Sequence, residues 1–215
     1  TVIYDYEVYQ RNSEDSKERK LVRLLRDHND SLHSRKLLIE ALIISREEIK
    51  KGEPFNFEYT RPSVDSSCDV QIRLNFGLEL VNGSQLLKID QTKMDVTSVT
   101  IYTIDSLEHR EFNFRYQHKS MAELGDSIYD VNGDSIIDLV FAWYPTCGCC
   151  LSDMRDVYLF DSVEMKYATQ KRFINPTFDV QNSIIRGMTY GHPGEAGLYK
   201  FKWNGLEVDT VEFIY

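Results

Sequence analysis

The chain has no apolar stretch near the roughly 18 residues that a membrane-spanning helix needs, so no helical span is expected in it. No histidine-based zinc-enzyme motif is present, and no serine nucleophile elbow. The five histidines, His28, His33, His109, His118 and His192, are scattered and read as surface or packing residues; His192, in the Gly-Pro stretch Tyr190 to Leu198, stands out as a contact residue. Positive charge is the scarcer sign, with 25 Lys and Arg against 34 Asp and Glu and a net charge of −9. That balance argues against a nucleic-acid backbone as partner. It suits a cationic partner or plain solubility. No leader is visible and the chain starts at Thr1 without Met, which sets the expectation of a processed or trimmed product.

Oxygen ligands, in contrast, are concentrated in one place. In Asp130-Val131-Asn132-Gly133-Asp134-Ser135-Ile136-Ile137-Asp138 the oxygen-bearing side chains alternate: Asp130, Asn132, Asp134, then Asp138. Ile136 stands where such loops offer a backbone carbonyl. Calcium is a hard cation that takes six to eight oxygens in flexible geometry, and alternating Asp and Asn on a tight turn bring several oxygens to one point. The spacing follows the start of an EF-hand loop and then departs from it. Phe141 stands where that loop needs its bidentate Glu, and Ser135 replaces the Gly of the sharp turn. Ser135 must therefore take a backbone conformation that suits Gly better. The run Ile136 to Trp143 that follows is apolar and reads as a strand rather than an EF-hand helix. The bland alternative is a polar turn before a strand. Nearby Asp126 reads as a solvated turn residue, or as an outer oxygen of the same loop.

The remainder is mainly β. Thr1 to Gln10 alternates and suggests a strand, and Leu21, Val22, Leu24, Leu25 and His28 recur at helical spacing. The polar stretch Asn29 to Ser34 is expected to break that helix. Leu37, Leu38, Ala41, Leu42, Ser45 and Ile49 then lie on one helical face, ended by Lys50-Lys51-Gly52; a buried strand over Leu37 to Ile44 is the alternative. Pro54 and Pro62 bracket Phe55 to Arg61, expected as an irregular connector. From Asp69 the period changes to two, with Val70, Ile72, Leu74 and Phe76 on one side. Asn82-Gly83 and Asn204-Gly205 signal tight hairpins. Further strands are expected around Val96 to Ile104, Phe112 to Tyr116, Val157 to Phe160 and Ser183 to Met188. These strands predict propeller-like or sandwich-like antiparallel sheets with an N-terminal helical segment. The division expected is a strand and helical segment over 1–62, packed on or beside a β-rich domain over 63–215.

Four cysteines allow three pairings. Cys147-Gly148-Cys149-Cys150 and the distant Cys68 fit disulfides, most simply Cys68 to one member of the cluster plus a local Cys147–Cys150 bridge. Adjacent Cys149 and Cys150 diverge in an extended chain, which disfavours a four-thiolate zinc site. Cys147 and Cys150 lack the βαβ setting of a redox pair. Disulfides and a loop suited to millimolar calcium both point outside the cytoplasm.

Taken together, Asp130 to Leu139, the Cys-rich turn, Val157 to Asp161, Asn175-Pro176-Thr177-Phe178-Asp179 with Ile184, and Tyr199 to Trp203 resemble one family. It is the secreted calcium-loop proteins of Gram-negative envelopes, with a β-propeller-like fold, and the resemblance covers roughly residues 95–215. Better understood members resemble lysozyme inhibitors and act as immunity proteins against peptidoglycan hydrolases. The resemblance implies a periplasmic or secreted protein, lipid-anchored to the outer membrane or free, with calcium on Asp130, Asn132, Asp134, Ile136 and Asp138. It implies a protein partner, a basic peptidoglycan hydrolase, and no catalytic residues of its own. Two other readings stand beside it: a glycan-binding or adhesive module using Tyr4, Tyr6, Tyr9, Trp143, Tyr144 and Trp203 as stacking platforms, and a hydrolase with structural calcium.

Overall fold

A computed structural model describes residues 30–64, 68–104, 112–145, 152–190 and 195–214. Residues 30–49 form helix α1. Leu37, Ala41, Ser45 and Ile49, four residues apart, are all buried along one side. The helix ends as its sequence suggests: Gly52 takes φ 76° and donates its N–H to the Ile49 carbonyl. The expected break before Ser34 is not there, since residues 30–34 are helical. Their polar side chains are anchored on the neighbouring sheet rather than left to disrupt the helix. Ser34 Oγ donates to Gln91, His33 Nε2 lies 3.2 Å from the Pro62 carbonyl oxygen, and Asp30 pairs with Lys93.

The first sheet is antiparallel, in the order β1 (Phe55–Pro62), β2 (Asp69–Val81), β3 (Ser84–Lys93), β4 (Val96–Ile104) and β5 (Phe112–Met121). The connector expected over Phe55 to Arg61 is the edge strand β1, paired residue by residue with β2. Its prolines mislead because Pro62 only closes an edge strand, where no ladder hydrogen bond is lost. Asn82 and Gly83, both at positive φ, form the two-residue turn between β2 and β3, with Val81 opposite Ser84.

The second sheet runs β11 (Lys171–Ile174), β8 (Met154–Tyr158), β7 (Asp138–Trp143), β6 (Glu123–Tyr129), and the third runs β12 (Thr177–Asp179), β13 (Ile184–Tyr190), β14 (Ala196–Asn204), β15 (Glu207–Ile214). A small ladder joins β9 (Phe160–Asp161) to β10 (Lys166–Tyr167). In the closing hairpin Asn204 faces Glu207, so the turn is centred on Gly205-Leu206, one position later than expected.

Three apolar clusters stack these elements in layers. Leu37, Ala41 and Ile49 of α1 pack on Ile72, Leu74, Leu87 and Ile89 of the first sheet. Val99 and Ile101, on its other face, meet Leu139, Phe141 and Tyr158 of the second sheet. Val140 and Val157 then meet Ile185, Tyr199 and Trp203 of the third. Both faces of β7 are thus covered and all six of its residues are buried. That is why Leu139 to Trp143 reads as an unbroken apolar run instead of an alternating one. Each fully buried Leu, Ile or Phe of these clusters contributes about 1.5–3 kcal/mol through burial.

Candidate metal loop

The loop 130–137 leads from β6 into β7. Gly133 (φ 85°) and Ser135 (φ 68°) both lie in the left-handed region, so Ser135 does adopt the conformation that favours glycine. Gly133 is needed on a second ground: a Cβ there would stand 2.6 Å from the Val180 carbonyl oxygen.

The loop is organised by its own carboxylates. Asp130 Oδ1 accepts the N–H groups of Gly133 (2.6 Å) and Asp134 (3.2 Å), and Oδ2 accepts that of Ser135 (2.8 Å). The Asp134 N–H is shared with Asn132 Oδ1 (3.1 Å), which places oxygens of Asp130 and Asn132 around one nitrogen. Asp134 Oδ1 accepts the Ile136 N–H, and its Oδ2 accepts from the Asn132 amide. Asp138, fully buried at the head of β7, accepts the N–H of Val131 on Oδ2 and of Phe160 on Oδ1. Asp130, Asn132, Asp134 and Ile136 therefore share one turn, and Asp138 ties the base of that turn to the start of β9.

Electrostatics mark the same place. Burial pushes the Asp138 carboxyl up to about 6, and the charges of Asp134 and Asp130 add to the rise; the two backbone N–H groups oppose it. Among the described residues, neither Asp130 nor Asp134 has a Lys or Arg partner. No group of three or more His, Cys, Asp and Glu side chains among them is gathered into a ready metal cage. The donor set is nonetheless all oxygen, the chemistry that suits a hard cation rather than zinc or copper. Each carboxylate oxygen that accepts a single N–H keeps a second lone pair for a ligand.

Two supports of the loop carried no recognised signal. Asn82, in the β2–β3 turn, grips Ile137 from both sides: its Oδ1 accepts the Ile137 N–H and its Nδ2 donates to the Ile137 carbonyl. Ser183 Oγ donates to the Asn132 carbonyl. The Asn-Gly pair advertised a hairpin, and its second task is invisible without the fold. Asp126 is neither a turn residue nor part of the loop. It sits on β6 and accepts from Lys88.

The other expected residues fall as follows. Trp143 and Trp203 are core residues and present no open stacking face. Cys68 Sγ lies 4.0 Å from Ser63 Oγ. Its candidate partners Cys147, Cys149 and Cys150 lie outside the described residues, as do His192, Tyr4, Tyr6 and Tyr9.

A second buried carboxylate lies between the first two sheets. Asp156 accepts a two-pronged contact from Arg172, Nε to Oδ1 at 2.8 Å and Nη2 to Oδ2 at 3.1 Å, and the Trp143 indole N–H at 2.9 Å. His118 Nε2 stands 3.7 Å from Asp156 Oδ2. The Tyr158 hydroxyl donates to Gln170, and His118 Nδ1 lies 2.8 Å from the Tyr158 oxygen. Burial holds the His118 pKa down at about 4, with Arg172 adding to the effect and Asp156 opposing it. This is a packed junction: His118 stacks on Phe141 at 4.3 Å, and His118 and Asp156 are both buried.

No family model, curated protein or solved structure matches this chain.

Proposed function

We propose that the chain is a secreted or periplasmic binding protein, not an enzyme, whose recognition loops are held by a calcium-stabilised β scaffold. The observation that carries the reading is the Asp130–Asp138 turn. Three carboxylates and an amide crowd one turn, Asp138 is buried with its carboxyl pushed upward, and among the described residues no Lys or Arg answers Asp130 or Asp134. Asp130, Asn132 and Asp134 would hold the ion from the turn, with Ile136 and Asp138 completing the set. Calcium, when bound, supplies the positive charge that this turn lacks. The chain's own part is to fix the turn through Asn82 and Ser183 and to join it to β7 and β9 through Asp138. Sheets stacked face to face, each antiparallel, suit the sandwich-like and the propeller-like readings of the fold alike.

The partner proposed is a basic peptidoglycan hydrolase, as the family resemblance implies. A net charge of −9 favours encounter with such a target. The burial of Trp143 and Trp203 weighs against the glycan-stacking alternative. Thermal melts in excess calcium and in chelator test the scaffold. The melting temperature rises with calcium in the wild type and stays flat in Asp134→Ala; no rise in the wild type leaves a plain polar turn. Inhibition of a lysozyme-type hydrolase in a cell-wall clearing assay tests the partner, and undiminished clearing at excess protein removes the inhibitor reading.

A further inference from the structure

A cleft of about 250 Å3 opens between the outer face of the first sheet and the edge strand β6. It exists because the second sheet covers only part of that face. Val99 and Ile101 are sealed by Leu139 and Phe141, while Lys88 and Asp90, their cross-strand neighbours on β3, are left facing Glu123 and Asp126 of β6. Three carboxylates, Lys88 and Arg73 thus share a confined polar space. Lys88 Nζ is already engaged with Asp126 Oδ1 (2.6 Å) and Asp90 Oδ2 (3.2 Å). Arg73, at the rim, reaches across to Glu58 on β1.

Acceptor capacity is left over. Asp90 is 6% exposed, and its Oδ1 is buried with no hydrogen-bond partner among the described residues. Burial is also the main cause that pushes the carboxyls of Asp90 and Glu123 above the usual range, which marks negative charge without full compensation. We propose that this cleft binds an organic cation, an ammonium or guanidinium head that donates N–H groups to the carboxylates Lys88 leaves unmatched. A point metal ion fits less well. Lys88 Nζ already occupies the position between Asp90 and Asp126. A head group with several N–H donors can instead reach separate acceptors. The volume holds one Lys- or Arg-sized group and is too small for an oligosaccharide. The cleft shares no residue with the calcium loop, so the proposal stands whether or not that loop binds metal.

The test is an amide NMR titration of the full chain with 1,4-diaminobutane and with N-acetyl-arginine amide. Saturable shifts are expected at residues 88–92, 97 and 123–126. Binding should weaken about tenfold in Glu123→Gln, the loss of one charge-assisted contact. Glu123→Gln is isosteric and lies on an edge strand, so its spectrum reports folding and binding together; Asp90→Asn is the second variant. Tighter binding of the blocked arginine points to a side chain of a partner protein, and tighter binding of the diamine to a free small amine; either supports the cleft. Shifts that do not saturate, that persist unchanged in Glu123→Gln, or that appear equally with acetate overturn it.

Discussion

Asp138 and Asp156 are both fully buried at the same β7–β8 layer, yet they are satisfied in opposite ways. Asp156 meets a cation: the Arg172 guanidinium, with the Trp143 indole beside it. Among the described residues Asp138 meets only two backbone N–H groups, and its carboxyl is pushed up to about 6. Backbone dipoles orient a buried carboxylate but do not cancel its charge; a guanidinium does both. The difference separates a junction complete within the chain from a loop that is complete only with an added positive charge.

Isosteric amides would break this contrast most sharply. Asp156→Asn removes the charge that Arg172 and Trp143 converge on, and a buried pair that loses one partner is expected to lose about 3–5 kcal/mol. Urea unfolding measures the loss, and adding calcium should not restore it. Asp138→Asn comes next, at about 2 kcal/mol without calcium. It sets an amide donor against one of two backbone donors, but it also removes an undercompensated charge. The same variant should lose most of the calcium-dependent rise in stability. Equal losses at both positions, with or without calcium, would mean that two N–H groups compensate a buried aspartate as well as an arginine does.

The sequence marks Asp138 by its place in the alternating loop, but it does not show how either aspartate is satisfied, and the reason is distance along the chain. Asp156 depends on Arg172 across the β8–β11 ladder, and Asp138 on the start of β9. What the sequence does show is local. The two-residue period of Val70, Ile72, Leu74 and Phe76, the four-residue period of Leu37, Ala41, Ser45 and Ile49, and the Asn82-Gly83 turn all follow from steric rules acting over a few residues. The connector expected over Phe55 to Arg61 failed because a proline at the end of an edge strand resembles a loop. Strand β6 carries no clean alternation: its residues lie at a sheet edge, beside a polar cleft whose Lys88 comes from another sheet. The alternating Asp and Asn of the loop could be read because an ion site built from one turn is itself local. Its clamps, Asn82 and Ser183, could not.

Ser135→Gly carries the smallest effect and bears most directly on how the loop is prepared. Ser135 holds φ 68°, and its N–H donates to Asp130 Oδ2. Glycine takes that φ without a Cβ penalty and keeps the N–H, but it gives the unfolded chain more freedom. The two effects oppose one another, so the variant should be more stable by only about 0.5 kcal/mol in chelator. If the turn already has its calcium-binding shape, the same gain appears in calcium, and the calcium increment stays as in the wild type. A larger increment in the variant would mean that loading moves the turn against the Ser135 strain. The loop would then be shaped by the ion, rather than held ready for it by Asp130, Asn82 and Ser183.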